Sequence, residues 1–242
     1  MKGATVEEQI VSIQVNGQLI AVATCTPEML DAFAVGRLVA DGYISTRADV
    51  LDLRVVPRQH STLIEVELAL PAAQIGEAER RHRAQHGCGL LYFIDCAPET
   101  LKREWNADLP PLASFPELYR LLFEAADAHR ETGGMHSAAL TDGERLAYHA
   151  DDVGRHNAVD KVIGAAVLND DSHDAYGLLL TARISGEIAL KGGRAGVRWI
   201  ASRSIPTTLA LRIASSASLP LIGRAPGKDA HVHLPGYRNV AS

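Results

Sequence analysis

GLLLTARISGEIALKGGRAGVRWIASRSIPTTLALRIASSASLPLI, residues 177–222, decides the fold. Three short apolar runs, Gly177–Thr181, Arg198–Ala201 and Leu219–Ile222, alternate with two segments of helical spacing, Ser185–Ala195 and Pro206–Ser216. Apolar runs of this length between turn signals read as strands buried on both faces. Pro206 and Thr207 suit a helix start, and Gly192-Gly193 weakens the end of the preceding helix. Upstream, Val159, Val162, Ile163 and Ala166 give His156–Leu168 an apolar stripe. Asp142-Gly143 between Ser137–Thr141 and Arg145–Ala150 reads as a hairpin turn, and Pro116–His129 reads as a further helix. A hairpin followed by alternating helix and strand implies a three-layer α/β/α domain with a mainly parallel sheet.

The front of the chain has a different grammar. Val11, Ile13 and Val15 alternate with polar residues, Asn16-Gly17 follows, and Leu19, Ala21 and Ala23 alternate again. Asn-Gly between alternating runs is a hairpin signal, because both turn positions need positive φ. Thr26-Pro27-Glu28 reads as N-cap, first helical residue and early acid of a helix that Gly42 would end. Two strand-like runs, Val50–Val56 and Thr62–Leu70, complete a smaller mixed α/β unit. Between the lobes, residues 76–86 are rich in Arg, Glu, Gln and His, and residues 98–115 are rich in proline. The expected organisation is an N-terminal α/β domain over 1–75, a connection with a cysteine over 76–115, and the three-layer domain over 116–242.

Composition narrows the function. Of the 242 residues, 47% are apolar and 22% charged, which suits a globular chain with a real core. A formal charge of −5 favours neither nucleic acid nor a membrane as a global partner. No apolar run is long enough to span a bilayer, and the N-terminus lacks a secretory apolar core, so a cytoplasmic protein is expected. The three cysteines, Cys25, Cys88 and Cys96, form no CxxC pair, which fits a reducing compartment and argues against a two-knuckle zinc site. The ten histidines form no HExxH pair, and GxGxxG, Walker and GxSxG signatures are missing. No metal site is expected.

Several places have the chemistry for a site. Glycines flank Cys88, and Arg81, His82, Arg83 and His86 precede it, so a thiolate there would be stabilised and approachable; the alternative is an ordinary loop cysteine. Cys25, at the end of an apolar strand, reads as core. Cys96 is open between a resolving thiol and a bystander. The double glycine of Thr132–His136 suits either anion binding by backbone N–H groups or a plain helix end. The densest polar string, DDVGRHNAVDK at Asp151–Lys161, falls where a strand ends and a helix begins. There Arg155 and His156 would meet phosphate or pterin oxygens, while Asp160 and Lys161 read as a polar helix face or a salt bridge. RISGE at Arg183–Glu187 and SRSIPTT at Ser202–Thr208 are similar junctions, each explicable as a cap but together suggesting one shared pocket. Arg224–Asp229 (RAPGKD) follows the last parallel strand and would close it.

TGGMHSAAL at Thr132–Leu140 and DDVGRHNAVDKVIG at Asp151–Gly164 resemble the two signature blocks of the formate dehydrogenase accessory sulfurtransferase family. TPEMLDAFAVGRLVADGYI at Thr26–Ile44, ARISGEIALKGGRAG, IPTTLALRIA and LPLIG fit the family's other blocks in order, so the resemblance spans nearly the whole chain. It implies a C-terminal domain similar in fold to cytidine deaminases, without their zinc ligands. It further implies a cytoplasmic sulfur carrier required for formate dehydrogenase activity. Such a carrier takes persulfide sulfur from a cysteine desulfurase and delivers it to the molybdenum cofactor with two pterin guanine dinucleotides, and a homodimer is expected. By position the persulfide cysteine is Cys88, and the cofactor-binding segment is Arg224, Ala225, Pro226, Gly227, Lys228 and Asp229, beside Arg155 and His156. Leu91 stands where the family commonly has a second cysteine, and the C-terminal segment carries fewer arginines than is usual. A non-catalytic cofactor-binding chaperone or scaffold is therefore the alternative.

Overall fold

The computed structural model describes residues 5–69, 109–126 and 133–234. In the first part, β1 (Gln9–Val15) and β2 (Gln18–Cys25) form the expected hairpin, with Asn16 at φ 48° and Gly17 at φ 79°, both left-handed as that turn requires. Helix α1 (Leu30–Asp41) follows and stops at Gly42, whose φ of 80° lets its N–H reach back to Leu38 and Val39. Strands β3 (Val50–Pro57) and β4 (Ser61–Leu68) close a four-stranded sheet of order β2-β1-β4-β3, with β1 parallel to β4 and the other pairs antiparallel. The start of α1 differs from the expectation. Met29, at φ 53°, is its N-cap residue, and Thr26 lies outside the helix because a buried carboxylate from the second sheet takes up its hydroxyl and N–H.

The second part begins with α2 (Phe115–Ala125), then β5 (His136–Thr141) and β6 (Leu146–Asp152) around Gly143. Next come α3 (Arg155–Leu168), β7 (Gly177–Leu180), α4 (Gly186–Ala195), β8 (Ile200–Ser202), α5 (Thr208–Ser216), β9 (Leu221–Gly223) and β10 (His231–His233). The sheet order is β10-β9-β8-β7-β5-β6. Only β7-β8 and β8-β9 are parallel pairs, so the sheet is mixed rather than mainly parallel. The hairpin sets β5 against both neighbours, and the three-residue strand β10 escaped the sequence because so short a run has no measurable alternation.

Period-two alternation splits this sheet between two helical layers. Ala138, Leu140, Leu178, Leu180, Ile200 and Leu221 share a core with residues of α3, α4 and α5. Ala139, Leu179, Ala201 and Ile222 pack instead with Phe115, Leu118, Tyr119 and Leu122 of α2. Trp199 meets Phe115 edge-on at 5.4 Å, and Gly177 is required beneath it: a Cβ there would lie 2.1 Å from the indole. The three-layer α/β/α arrangement is thus present, with the smaller mixed α/β part beside it.

The two parts meet through α1 and α3. A Cβ on Gly36 would lie 1.8 Å from the Asp160 carbonyl oxygen, and one on Gly164 would lie 1.9 Å from that of Ala32. Only glycine permits backbones to approach so closely. Val11, Ile13 and Val15 of β1, Phe33 and Leu38 of α1, and Val159 and Ile163 of α3 belong to one continuous apolar cluster.

Candidate functional site

The DDVGRHNAVDK string runs from β6 through a tight turn into α3 and carries the most connected polar network among the described residues. Asp152 and Lys161 are fully buried and form an ion pair at 2.7 Å. Lys161 also donates to the Thr26 hydroxyl at 2.6 Å and the Thr26 carbonyl at 3.3 Å, which occupies all three ammonium protons. The Thr26 hydroxyl and N–H donate to Asp152 Oδ2 at 2.9 and 3.2 Å. Asp152 Oδ1 accepts from the Gly154 N–H and from Asn157 Nδ2, both at 2.8 Å. Asn157 Nδ2 donates as well to the carbonyl of Thr24. A Cβ at Gly154 would stand 2.6 Å from Asn157 Nδ2, so glycine at the helix entrance makes room for this side chain.

Asp160 and Lys161 each form an ion pair, though not with one another, and neither lies on a solvated face. Lys161 points to Asp152, while Asp160, on a different face of α3, accepts from Lys191 of α4 at 2.6 Å. Burial pushes the Asp160 carboxyl up, against the pull of Lys191 and Arg37. Buried pairs like these survive only when every donor and acceptor is met, and removing one member leaves a costly lone charge. Their effect is to fix the β6–α3 turn against the end of β2. Cys25, next to Thr26, is fully buried, as the sequence implied, and burial with the nearby Asp152 charge pushes its thiol up to about 12.

Arg155 and His156 open α3 on the side where β7 and β8 also end. His156 Nε2 lies 3.0 Å from Glu187 Oε2 and 3.3 Å from Ser185 Oγ, which ties the first junction to the second. The hydrogen bond from His156 holds the Glu187 carboxyl down at about 2, helped by the charges of His156, Lys191 and Arg155. The Arg155 Nε is buried and has no hydrogen-bond partner among the described residues. Second and third junctions join through a parallel bridge between Ile184 and Pro206. Ser185 and Thr207 are N-caps, accepting from the N–H groups of Ile188 and Ala210. The three junctions are therefore linked in series along one sheet edge. The cavity found there takes lining from the third junction alone and not from the first two, so the single shared pocket expected from the sequence is not what these contacts form.

Arg224 and Asp229 line this cavity, to which Arg155 and His156 do not contribute. Ile205, Pro206, Gly223, His231 and His233 complete its lining, and its volume is about 270 Å³. Arg224 adopts φ 52°, and its N–H donates to Ser204. Within the segment, Arg224, Gly227, Lys228 and Asp229 are exposed and Pro226 is half-buried. Ala225 is 1% exposed and packs with Trp199, Ala201 and Ile222 of the α2-side core, so its side chain is structural. Gly133, at φ 66°, has the positive φ expected of the double glycine. Cys88, Leu91 and Cys96 lie outside the described residues.

Over residues 6–238 the sequence matches the FdhD/NarQ family. The chain belongs to that family. The sulfur carrier protein FdhD of Bordetella petrii is 32% identical over 232 residues, covering 94% of this chain and 83% of that protein. The sulfur carrier protein FdhD of Burkholderia cenocepacia is 34% identical over 234 residues, covering 89% and 82%. A crystal structure assigned as a formate dehydrogenase accessory protein from Desulfotalea psychrophila superposes with a TM-score of 0.73 at 26% identity, covering 94% of this chain and 87% of that one. In this FdhD/NarQ chain, sequence reasoning located Arg155, His156, Ser185 and Thr207 but not the pairings around them: Glu187 holds His156, Thr26 and Asn157 bond to Asp152, and Lys191 meets Asp160. Asn157 and Glu187 stand in strings that the sequence singled out, but nothing local names their partners. No described helix is long and apolar enough to cross a membrane.

Proposed function

We propose that this chain is a sulfur carrier for formate dehydrogenase maturation, with Cys88 as the persulfide-bearing thiol. The Cys88 thiolate attacks the sulfane sulfur of a cysteine desulfurase persulfide. A sulfur–sulfur bond forms on Cys88 as the donor's bond breaks, and the donor leaves as a thiolate. The terminal sulfur is then delivered as sulfide to the molybdenum cofactor bearing two pterin guanine dinucleotides: the Cys88 sulfur–sulfur bond breaks, two electrons from a thiol reductant reduce the departing sulfur, and Cys88 is left as a thiolate. The loaded cofactor is handed to formate dehydrogenase. The carrier works in the cytoplasm as a homodimer.

The observation that carries this reading is kinship, over 89–94% of the chain, with proteins named as sulfur carriers. The sheet edge adds chemical support. Arg155 presents a guanidinium and His156 an imidazole, groups suited to phosphoryl or pterin oxygens, and the cavity beside Arg224 and Asp229 has room for one end of a dinucleotide. Lys228 adds a further positive charge beside that cavity. The cofactor is the cargo here, so the residues need to grip it and release it rather than hold it permanently.

Intact-mass spectrometry tests the first step. After incubation with a cysteine desulfurase and cysteine, the wild type gains about 32 Da, reversed by reductant, and Cys88→Ala gains nothing. Leu91, in place of the family's second cysteine, favours one second reading, a scaffold that binds the cofactor without carrying sulfur. No mass gain on wild type, with cofactor binding retained, selects that reading.

A further inference from the structure

We propose that Glu187 is a positioning residue: it holds His156 by Nε2 so that the ring's other nitrogen, Nδ1, donates to an anionic phosphoryl group at the sheet edge. The proposal rests on the cofactor reading above.

Three features of the geometry lead to it. First, among the described residues the polar contacts of the imidazole are made through Nε2, to Glu187 Oε2 at 3.0 Å and Ser185 Oγ at 3.3 Å. Ser185 Oγ also accepts the Ile188 N–H at 3.5 Å, so it is held as a cap and receives only a share of the Nε2 proton. No described residue meets Nδ1. A Ser-His-Glu nucleophile is excluded, because serine and carboxylate compete for the same nitrogen instead of occupying opposite ones. Second, His156 is neither buried nor loose. Its side chain is 25% exposed, while the turn beneath it is pinned by the Asp152–Lys161–Thr26 network. Third, Glu187 stands in an alternating series. Lys191, one turn along α4, is held by Asp160, and Arg155 lies beside His156. Glu187 thus balances the positive groups around it and orients one of them.

With Nε2–H committed to Glu187, a doubly protonated ring has Nδ1–H to offer a phosphoryl oxygen in a charge-assisted hydrogen bond, whereas the neutral ring would present Nδ1 as an acceptor; an anion at this place selects the doubly protonated form. Simple electrostatics makes the opposite prediction for Glu187. A carboxylate near an anion-binding site repels the anion, so its removal should tighten binding. A positioning role means that its removal weakens binding. The sign of the effect separates the two.

Isothermal titration of the full chain with GDP, used as a probe for one nucleotide end of the cofactor, reads that sign. His156→Gln is expected to weaken GDP about tenfold, the worth of one hydrogen bond to a charged group. Glu187→Ala is expected to weaken it about fivefold to tenfold, and Glu187→Gln, which keeps an acceptor, by less. In the His156→Gln background Glu187→Ala should add nothing, because Glu187 acts through the ring. If GDP binds the wild type and Glu187→Ala binds it equally or more tightly, the positioning role is wrong while the cofactor reading stands. Full weakening by Glu187→Ala in the His156→Gln background overturns it as well. If the wild type binds no GDP, both readings fall together. Should Glu187→Ala fail to fold, Glu187→Gln carries the same test with the same sign.

Discussion

Replacing Gly36 by alanine drives a methyl group into the crossing of α1 and α3. The new Cβ would lie 1.8 Å from the Asp160 carbonyl oxygen, whereas ordinary contact begins at 3.4 Å, so the helices must part by the difference, 1.6 Å. The obstacle is backbone, which cannot swing aside as a side-chain tip would. Overpacking of this kind costs about 1–3 kcal/mol and occasionally more, and a backbone obstacle belongs at or above the upper end. Alanine in a helix interior recovers about 1 kcal/mol of propensity over glycine. The net loss is roughly 2–3 kcal/mol, which for a chain of this size lowers the midpoint by roughly 4–12 °C. Thermal and urea unfolding followed by circular dichroism measures it. Gly164→Ala, whose Cβ would lie 1.9 Å from the Ala32 carbonyl oxygen, should behave alike. Gly17→Ala is the control: nothing lies within 4 Å, and only the cost of its φ of 79° remains, about 1 kcal/mol. A Gly36→Ala protein as stable as wild type would refute the close seating of α1 on α3.

Other consequences can be measured with the same preparations. Lys161→Met strands the Asp152 carboxylate in the core and should cost about 3–5 kcal/mol in urea unfolding; a loss under 1 kcal/mol would mean that the network is not a clamp. Cys25 should resist iodoacetamide at pH 8 in the native protein and react once it is unfolded, because burial keeps its thiol protonated up to about 12. Peptide mapping that finds Cys25 readily alkylated in the native state would contradict its burial. Glu187 titrates at about 2 when folded, below its ordinary value of about 4.3. Its contribution to stability is therefore complete above pH ~4.3 and fades as the pH falls towards 2. Wild type should lose more stability than His156→Gln across that window, and parallel curves would show that the pair does not form.

Much of this was legible in the residues because the signals are local. Asn16-Gly17 and Asp142-Gly143 announce turns through backbone sterics, Gly42 announces a helix end, and Ser185 and Thr207 announce helix starts. Each requirement is satisfied within a few residues, so neighbours on the chain suffice to read it. The alternation of residues 177–222 likewise gives the layered sheet, since a strand buried on both faces must be apolar throughout. Thr26 departs from the capping role because Asp152, 126 positions away, takes up its hydroxyl and N–H. Asp160 and Lys161, adjacent in sequence, face different neighbours across α3, and no local rule chooses Lys191 for the first and Asp152 for the second. The seat of α1 on α3, the hold of Glu187 on His156 and the burial of Ala225 arise in the same way. Such contacts form only when the chain folds back on itself, where desolvation and close packing decide which of many possible partners each side chain meets.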